Sequence, residues 1–220
     1  MRAKLAPWFV STAAFVAFAL IAWQVQVVGS GLIKIDQTIA VDAKDHSADH
    51  PELLAFARIA TNAGGTTAMP VLAILGSLLF FRRWPALAVT WVLAALLGLA
   101  ISEATKAILD RPRPDETLRD ITFHERNASY PSGHSMASMI SYGFLTYFGW
   151  VVLSRRWPKV ALTFMFATLV LVIGWTRIYL RAHWLSDVLG GWALGLAWLS
   201  FCMGVQRFFV TNAADRSMGR

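Results

Sequence analysis

The chain has 220 residues, 56% of them apolar and only 15% Lys, Arg, Asp or Glu, with a formal net charge of +7. An average soluble domain carries about 25% charged residues, so a soluble protein of this size would lack the polar surface to cover its core. The apolar residues come in long blocks, which points to a membrane protein, and a lone cysteine, Cys202, rules out an internal disulfide.

Residues 5–28 form the first predicted span. Arg2 and Lys4 precede it and Gly29-Ser30-Gly31 follow, as around a signal peptide. The apolar run is longer than the usual 7–15 residues of a signal core and can cross the roughly 30 Å hydrocarbon layer, so a retained helix is expected. Residues 30–65 are mixed and polar. Within them, 51–63 (PELLAFARIATNA) has the spacing of a short amphipathic helix lying on the membrane or on its neighbours. Asp45-His46 and Asp49-His50 repeat four apart, a spacing that can bind a metal, although a solvated polar loop is the expected reading.

A short second span is expected over 66–81 and a third over 86–109, followed by an Arg-rich polar loop, 110–131, that includes His124. The fourth runs over 132–153, the fifth over 160–176 and the sixth over 185–209, with a polar tail after it. Proline marks the breaks at RRWP (82–85) and SRRWPK (154–159). Gly191 and Gly195 form a small-residue pair for close helix packing within the bundle, and tryptophans gather near span ends as interface anchors. The expected architecture is all-α: a single polytopic membrane helical bundle of about six transmembrane helices over residues 1–220, without internal repeats, low-complexity tracts or flexible linkers.

Six spans place both termini on one side. A bare count of Lys and Arg ties between the sides, but RRWP and SRRWPK are short, basic and free of acids directly beside span ends, which assigns their side to the cytoplasm. Every acidic residue except Asp215 then lies on the other side, with the 110–131 loop.

Three clusters fall at span ends on that outer side: Lys106 with Arg113-Pro114, then Pro131-Ser132-Gly133-His134, then Arg177 with His183 and Asp187. Cations at a membrane boundary are costly unless they face water or an anion. Arginine presents a planar fork suited to phosphate oxygens, and lysine adds a point charge. Ser132, Gly133 and His134 open a predicted helix, whose free N–H groups and positive dipole end favour an anion. His183 and Asp187, four apart, share a helix face. The carboxylate can fix the imidazole tautomer and leave the other nitrogen free to attack, and with His134 as a second histidine one can attack phosphorus while the other protonates the leaving oxygen. Arg181 and Arg111 are placed either to contact substrate or to pair with the acidic 110–131 loop.

These clusters, read as KAILDRPRP, PSGH and TRIYLRAHWLSD, resemble the signature of the type 2 phosphatidic acid phosphatase (PAP2) superfamily over residues 106–187. The resemblance implies a membrane lipid phosphate or diphosphate phosphatase acting on substrates such as phosphatidate, phosphatidylglycerophosphate or polyprenyl diphosphates. It implies phosphate binding by Lys106, Arg113, Arg177, Ser132 and Gly133, His134 as general acid, His183 as the residue that forms a phosphohistidine, and Asp187 as its support. It implies no metal and no cofactor. Thr176 stands where the family has serine and keeps the hydroxyl; with Arg181 it is a secondary candidate. The expected partners are the lipid substrate and the bilayer, with no nucleic acid and no obligate protein partner. The expected location is a bacterial inner membrane, with both termini cytoplasmic. A lipid phosphotransferase could use the same site, and a non-catalytic binding or transport relative is a further alternative, against which the complete motifs argue. Related vanadate-dependent haloperoxidases are soluble, unlike this chain.

Overall fold

The computed structural model describes residues 2–27, 30–120 and 127–218, with side chains over 5–27, 30–120 and 127–209. Eight α-helices follow in order among them: α1 (Arg2–Gln26), α2 (Gly31–Asp49), α3 (Pro51–Ala60), α4 (Ala68–Phe80), α5 (Pro85–Leu109), α6 (Gly133–Val152), α7 (Arg156–Tyr179) and α8 (Leu185–Met218), with a 3-10 turn at Thr61–Gly64 between α3 and α4.

Local chemistry sets these boundaries. Pro51 and Pro85 open α3 and α5, where a missing N–H costs nothing. Pro158 sits in the first turn of α7, so SRRWPK starts that helix rather than merely ending the previous one. Ser30 and Ser132 cap α2 and α6, their hydroxyls accepting from Ile33 and Ser135 amides at 3.3 and 3.4 Å. α5 ends on Asp110 in the left-handed region, at φ 37° and ψ 44°.

α6 lies in the middle of the bundle, packed on α5, α7 and α8, while α1 runs along α8. Two contacts fix α1 there: Ser11 donates to the Ala197 carbonyl at 2.9 Å, and Trp8 meets Phe201 edge-on at 5.6 Å. Trp91 stacks on Phe144 at 5.3 Å in one core cluster, and Phe18 stacks on Tyr130 at 5.6 Å in another. Trp91 therefore belongs to the core and is no interface anchor. The pair Gly191 and Gly195 packs α8 onto α6: a Cβ at Gly191 would lie 2.6 Å from the Ser132 carbonyl, and one at Gly195 would lie 3.0 Å from that of Met136. The close packing expected of the small-residue pair is thus found within the bundle.

The expected six spans are not all matched. Among the described residues, four helices are long and apolar enough to cross a membrane: Leu5–Gln26 of α1, α5, α7 and Leu185–Phe209 of α8. The expected second span is a 13-residue α4, about 20 Å long at 1.5 Å per residue. It reaches that standard only together with Pro51–Gly64, bent from it by 50°. The expected fourth span, α6, has 20 residues, but Ser135, Ser138, Ser141 and Tyr142 dilute its apolar content. Those residues are buried among other helices instead of facing lipid. The outer faces carry exposed Phe9, Leu79, Ile108 and Phe164, as a lipid-facing surface does.

The segment expected to be polar loop at 30–50 is the helix α2. It is held by tertiary ties at the end of the bundle where α5 and α7 finish. Arg181 donates to the Ala43 carbonyl at 3.1 Å and to Ser47 at 2.7 Å, and His46 Nδ1 lies 3.1 Å from the Tyr179 hydroxyl. The amphipathic helix expected over 51–63 appears as α3 with its 3-10 turn, its Ala57 packed on Tyr179 and Leu180.

Candidate active site

Four helix ends meet at one end of the bundle, beside α2. Lys106 comes from the last turn of α5, Ser132 to His134 from the first turn of α6, Arg177 from the last turn of α7, and Asp187 from the first turn of α8, with His183 in the short connection between α7 and α8. The eight principal candidates converge. His134 lies within electrostatic range of Arg177, His183, Lys106 and Arg113. A Cβ at Gly133 would sit 3.5 Å from Lys106 Nζ, so the glycine keeps the space between helix start and lysine open.

His183 is 2% exposed, and its two ring nitrogens face different chemistry. Nδ1 lies 3.4 Å from Asp187 Oδ2 and 3.5 Å from Ser129 Oγ, whereas Nε2 accepts from Arg113 Nη1 at 3.2 Å. A carboxylate at Nδ1 favours the tautomer protonated there and leaves the Nε2 lone pair directed at the cations. Asp187 is fully buried and well supplied with donors. Its Oδ1 accepts from Arg111 at 2.6 Å, and its Oδ2 accepts from the Trp184 amide at 2.9 Å and from the Ser129 hydroxyl. The bond to Trp184 is the returning half of a capping box at the start of α8.

Arg113 is oriented by Asn127, through the carbonyl at 2.8 Å and the side-chain oxygen at 2.7 Å, and by the Ala182 carbonyl at 2.7 Å. Arg177, fully buried, donates to Thr61 Oγ1 at 3.1 Å, and Lys106 pairs with Glu103 at 2.7 Å. Ser132 is fastened on both sides, its amide to the Asp187 carbonyl at 2.9 Å and its hydroxyl to Ser135. Tyr130 donates to the Phe18 carbonyl at 3.2 Å; burial, aided by the charge of Asp187, pushes its phenol pKa up and keeps it a neutral donor.

The secondary candidates are placed elsewhere. Thr176 is fully buried and donates to the Ile173 carbonyl of its own helix at 2.6 Å. Arg181 takes a left-handed φ of 50°, held by bonds to the Leu118, Tyr179 and Ala43 carbonyls and to Ser47. It does touch the 110–131 loop, but through the Leu118 backbone carbonyl, and its Nε and Nη1 donate to structural acceptors. His124 lies outside the described residues. His46 and His50 stack at 4.3 Å, with His46 on Tyr179 and His50 on Glu52. Among the described residues no three His, Cys, Asp or Glu side chains gather as a metal site would require.

Several residues at the site carried no sequence signal of their own. Arg111, left ambiguous in the sequence, is buried and donates to Asp187, to Ser186 at 2.6 Å and to Asp36 of α2 at 2.7 Å. Ser102 lies one turn below Lys106 on the same face of α5, a spacing that could have flagged it. Its buried hydroxyl has no partner among the described residues and lies 3.7 Å from the Cβ position of Gly133. Asn127 and Ser129 sat unremarked in the polar loop. A polar hollow of about 460 Å³, lined by Asp110, Arg113, Asp115, Glu116, Arg119 and Asn127 among others, opens beside Arg113.

Residues 85–210 match the sequence pattern of the PAP2 superfamily. The chain is 31% identical over 135 residues to phosphatidylglycerophosphatase B of Bacillus subtilis, an alignment covering 58% of this chain and 62% of that protein. It is also 31% identical over 136 residues to an undecaprenyl-diphosphatase of Sulfolobus acidocaldarius, covering 60% of each. The chain thus spans about three fifths of the length of these curated relatives. Its fold matches the crystal structure of a transmembrane PAP2-type phosphatidylglycerolphosphate phosphatase from Bacillus subtilis, with a TM-score of 0.79 at 23% identity, over 90% of this chain and 96% of the other.

Proposed function

Because the chain belongs to the PAP2 superfamily, and because it is an integral membrane protein with the site just described, we propose that it removes phosphate from a membrane lipid phosphate or diphosphate through a phosphohistidine at His183. The observation that carries this reading is the division of His183 between Asp187 at Nδ1 and Arg113 at Nε2. Phosphate oxygens drawn to Lys106, Arg113, Arg177, the Ser132 region and the Gly133 amide bring phosphorus to Nε2. The Ser102 hydroxyl, without a partner among the described residues and close to Gly133, donates to the same anion. Nε2 attacks phosphorus, the phosphorus–oxygen bond to the lipid breaks, and His134 gives its proton to the departing oxygen. Water, deprotonated by His134, then attacks phosphorus, breaks the P–N bond and releases inorganic phosphate.

A lipid substrate fits the placement of the site at helix ends of a bilayer protein. It also fits an apolar groove of about 470 Å³ between α6, α7 and α8, lined by Met139, Tyr142, Phe166, Val170 and Trp192 among others. Met139 is five residues beyond His134 on α6, about 7.5 Å along the axis, so a hydrocarbon tail there would lie below a phosphate at the site. The names of the relatives place phosphatidylglycerophosphate and undecaprenyl diphosphate among the substrates to try first. The basic breaks at RRWP and SRRWPK support cytoplasmic termini in an inner membrane, with the site on the outer side.

Purified protein offered a panel of phosphatidate, phosphatidylglycerophosphate and polyprenyl diphosphate is expected to release inorganic phosphate, and His183→Ala to abolish release. Adding an acceptor lipid separates hydrolysis from transfer: phosphate appearing on the acceptor in place of water would reassign the enzyme as a phosphotransferase. Full activity in His183→Ala would exclude the mechanism.

A further inference from the structure

Resting on the phosphohistidine reading, we propose that Asp36 is a positioning residue for the nucleophile: acting through Arg111, it holds the Asp187 carboxylate against His183. Helix α2, which lies outside the family-matched residues 85–210, is thereby part of the catalytic unit.

The geometry is a closed set of bonds. Arg111 reaches Asp187 Oδ1 and Ser186 Oγ with one nitrogen, each at 2.6 Å, and Asp36 Oδ2 with the other at 2.7 Å. Asp36 Oδ1 accepts from the Ser186 amide at 2.9 Å, and its Oδ2 also accepts from the Ser186 hydroxyl. Asp36 is 1% exposed, and Arg111 8%. A carboxylate this deep is unfavourable unless its charge has a use or a partner, and Arg111 already has one partner in Asp187.

Fastening α2 does not explain the second acid. That helix is tied down independently by Arg181 at Ala43 and Ser47 and by His46 at Tyr179. What Asp36 does uniquely is divide the charge of Arg111 between two carboxylates. Without that division, the full guanidinium charge falls on Asp187 and draws its electron density toward Oδ1, away from the oxygen facing His183. The His183 contact, at 3.4 Å, is already the longest that Asp187 makes. Asp36 also binds the second amide of α8, so it sets the register in which Asp187 leaves that helix start. Neither effect touches Lys106, Arg113 or Arg177, so phosphate binding is left alone while attack is slowed.

The test uses the full chain in detergent micelles with dioctanoyl phosphatidate as probe. In Asp36→Asn, kcat and the rate of phosphoenzyme formation are expected to fall together by roughly 10- to 100-fold, the scale for partners one step removed from a reacting group. KM and the inhibition constant of inorganic phosphate are expected to stay within about twofold, as for a site whose binding groups are intact. Asp36→Glu restores part of the loss. Asp42→Asn, which removes an exposed charge from the same helix, is expected to change kcat by less than about twofold. Should Asp36→Asn fail to fold, Ser186→Ala removes one bond from each of Arg111 and Asp36 without removing charge, and a smaller kcat loss at constant KM is expected. A folded Asp36→Asn with wild-type kcat, or a loss appearing in KM and phosphate affinity instead, overturns the proposal alone. A wild-type protein that turns over no lipid phosphate and forms no phosphoenzyme overturns the functional reading and this inference with it.

Discussion

His183 sits where two kinds of neighbour pull its ring in opposite directions, and that arrangement sets the expected response to single substitutions. Asp187→Asn keeps the shape but removes the charge that stabilises a protonated Nδ1. Turnover is expected to fall roughly 10²- to 10⁴-fold, the range for losing the orienting acid of a histidine pair, measured as phosphate release; a loss under tenfold would show that Asp187 does not support the nucleophile. His134→Ala should slow the reaction by about 10²-fold or more, as for a general acid. The loss should be largest for poor leaving groups, which a series of aryl phosphates of graded pKa measures as a steeper dependence on leaving group. Ser102→Ala should raise KM by roughly 10- to 100-fold with little change in stability, since the hydroxyl lacks a partner among the described residues and a hydrogen bond to a charged group is worth about 1.5–3 kcal/mol. Unchanged KM would show that Ser102 does not reach the phosphate. At this scale most of the candidate site was legible, because Lys106, Arg113, Ser132, Gly133, His134, Arg177, His183 and Asp187 each bring a charge or backbone property that phosphate chemistry calls for. Asp36 was not legible. It is one acid in a mixed segment, and only the fold brings it 2.7 Å from Arg111.

Among elements, the site is made by helix ends held in register, above all α6 against α8. Gly191 lets the Ser132 carbonyl approach, and that carbonyl belongs to backbone that cannot swing aside. Gly191→Val is therefore expected to destabilise the protein by about 1–3 kcal/mol, the usual scale of overpacking, seen as a lower Tm in detergent. It should also displace Ser132 from the Asp187 carbonyl and depress activity; an unchanged Tm would show that the two helices have slack. The long apolar helices α1, α5, α7 and α8 were plain in the sequence because lipid-facing and core-facing sides are both apolar. α2 was not, because its helix rests on long-range ties from Arg181 and Tyr179 rather than on its own pattern. The span expected over 66–81 is α4, 13 residues bent away from α3 after the Thr61–Gly64 turn. The polar content of α6 follows from its central position, where serine hydroxyls bond within the helix and glycine admits neighbours.

For the whole molecule, the convergence of four helix ends places every proposed reacting group at one end of the bundle. Placing single cysteines at Asp115 and at Arg83, both exposed and on opposite sides by the proposed topology, checks the orientation in intact cells. A membrane-impermeant thiol reagent should label Asp115→Cys and spare Arg83→Cys, and the reverse pattern would invert the topology. The most direct test of the central claim is to trap the reaction with a ³²P-labelled lipid phosphate and map the label. Acid-labile, alkali-stable phosphate on the peptide carrying His183, absent in His183→Ala, is the predicted result. Turnover without any phosphoenzyme, or label on another residue, would contradict it.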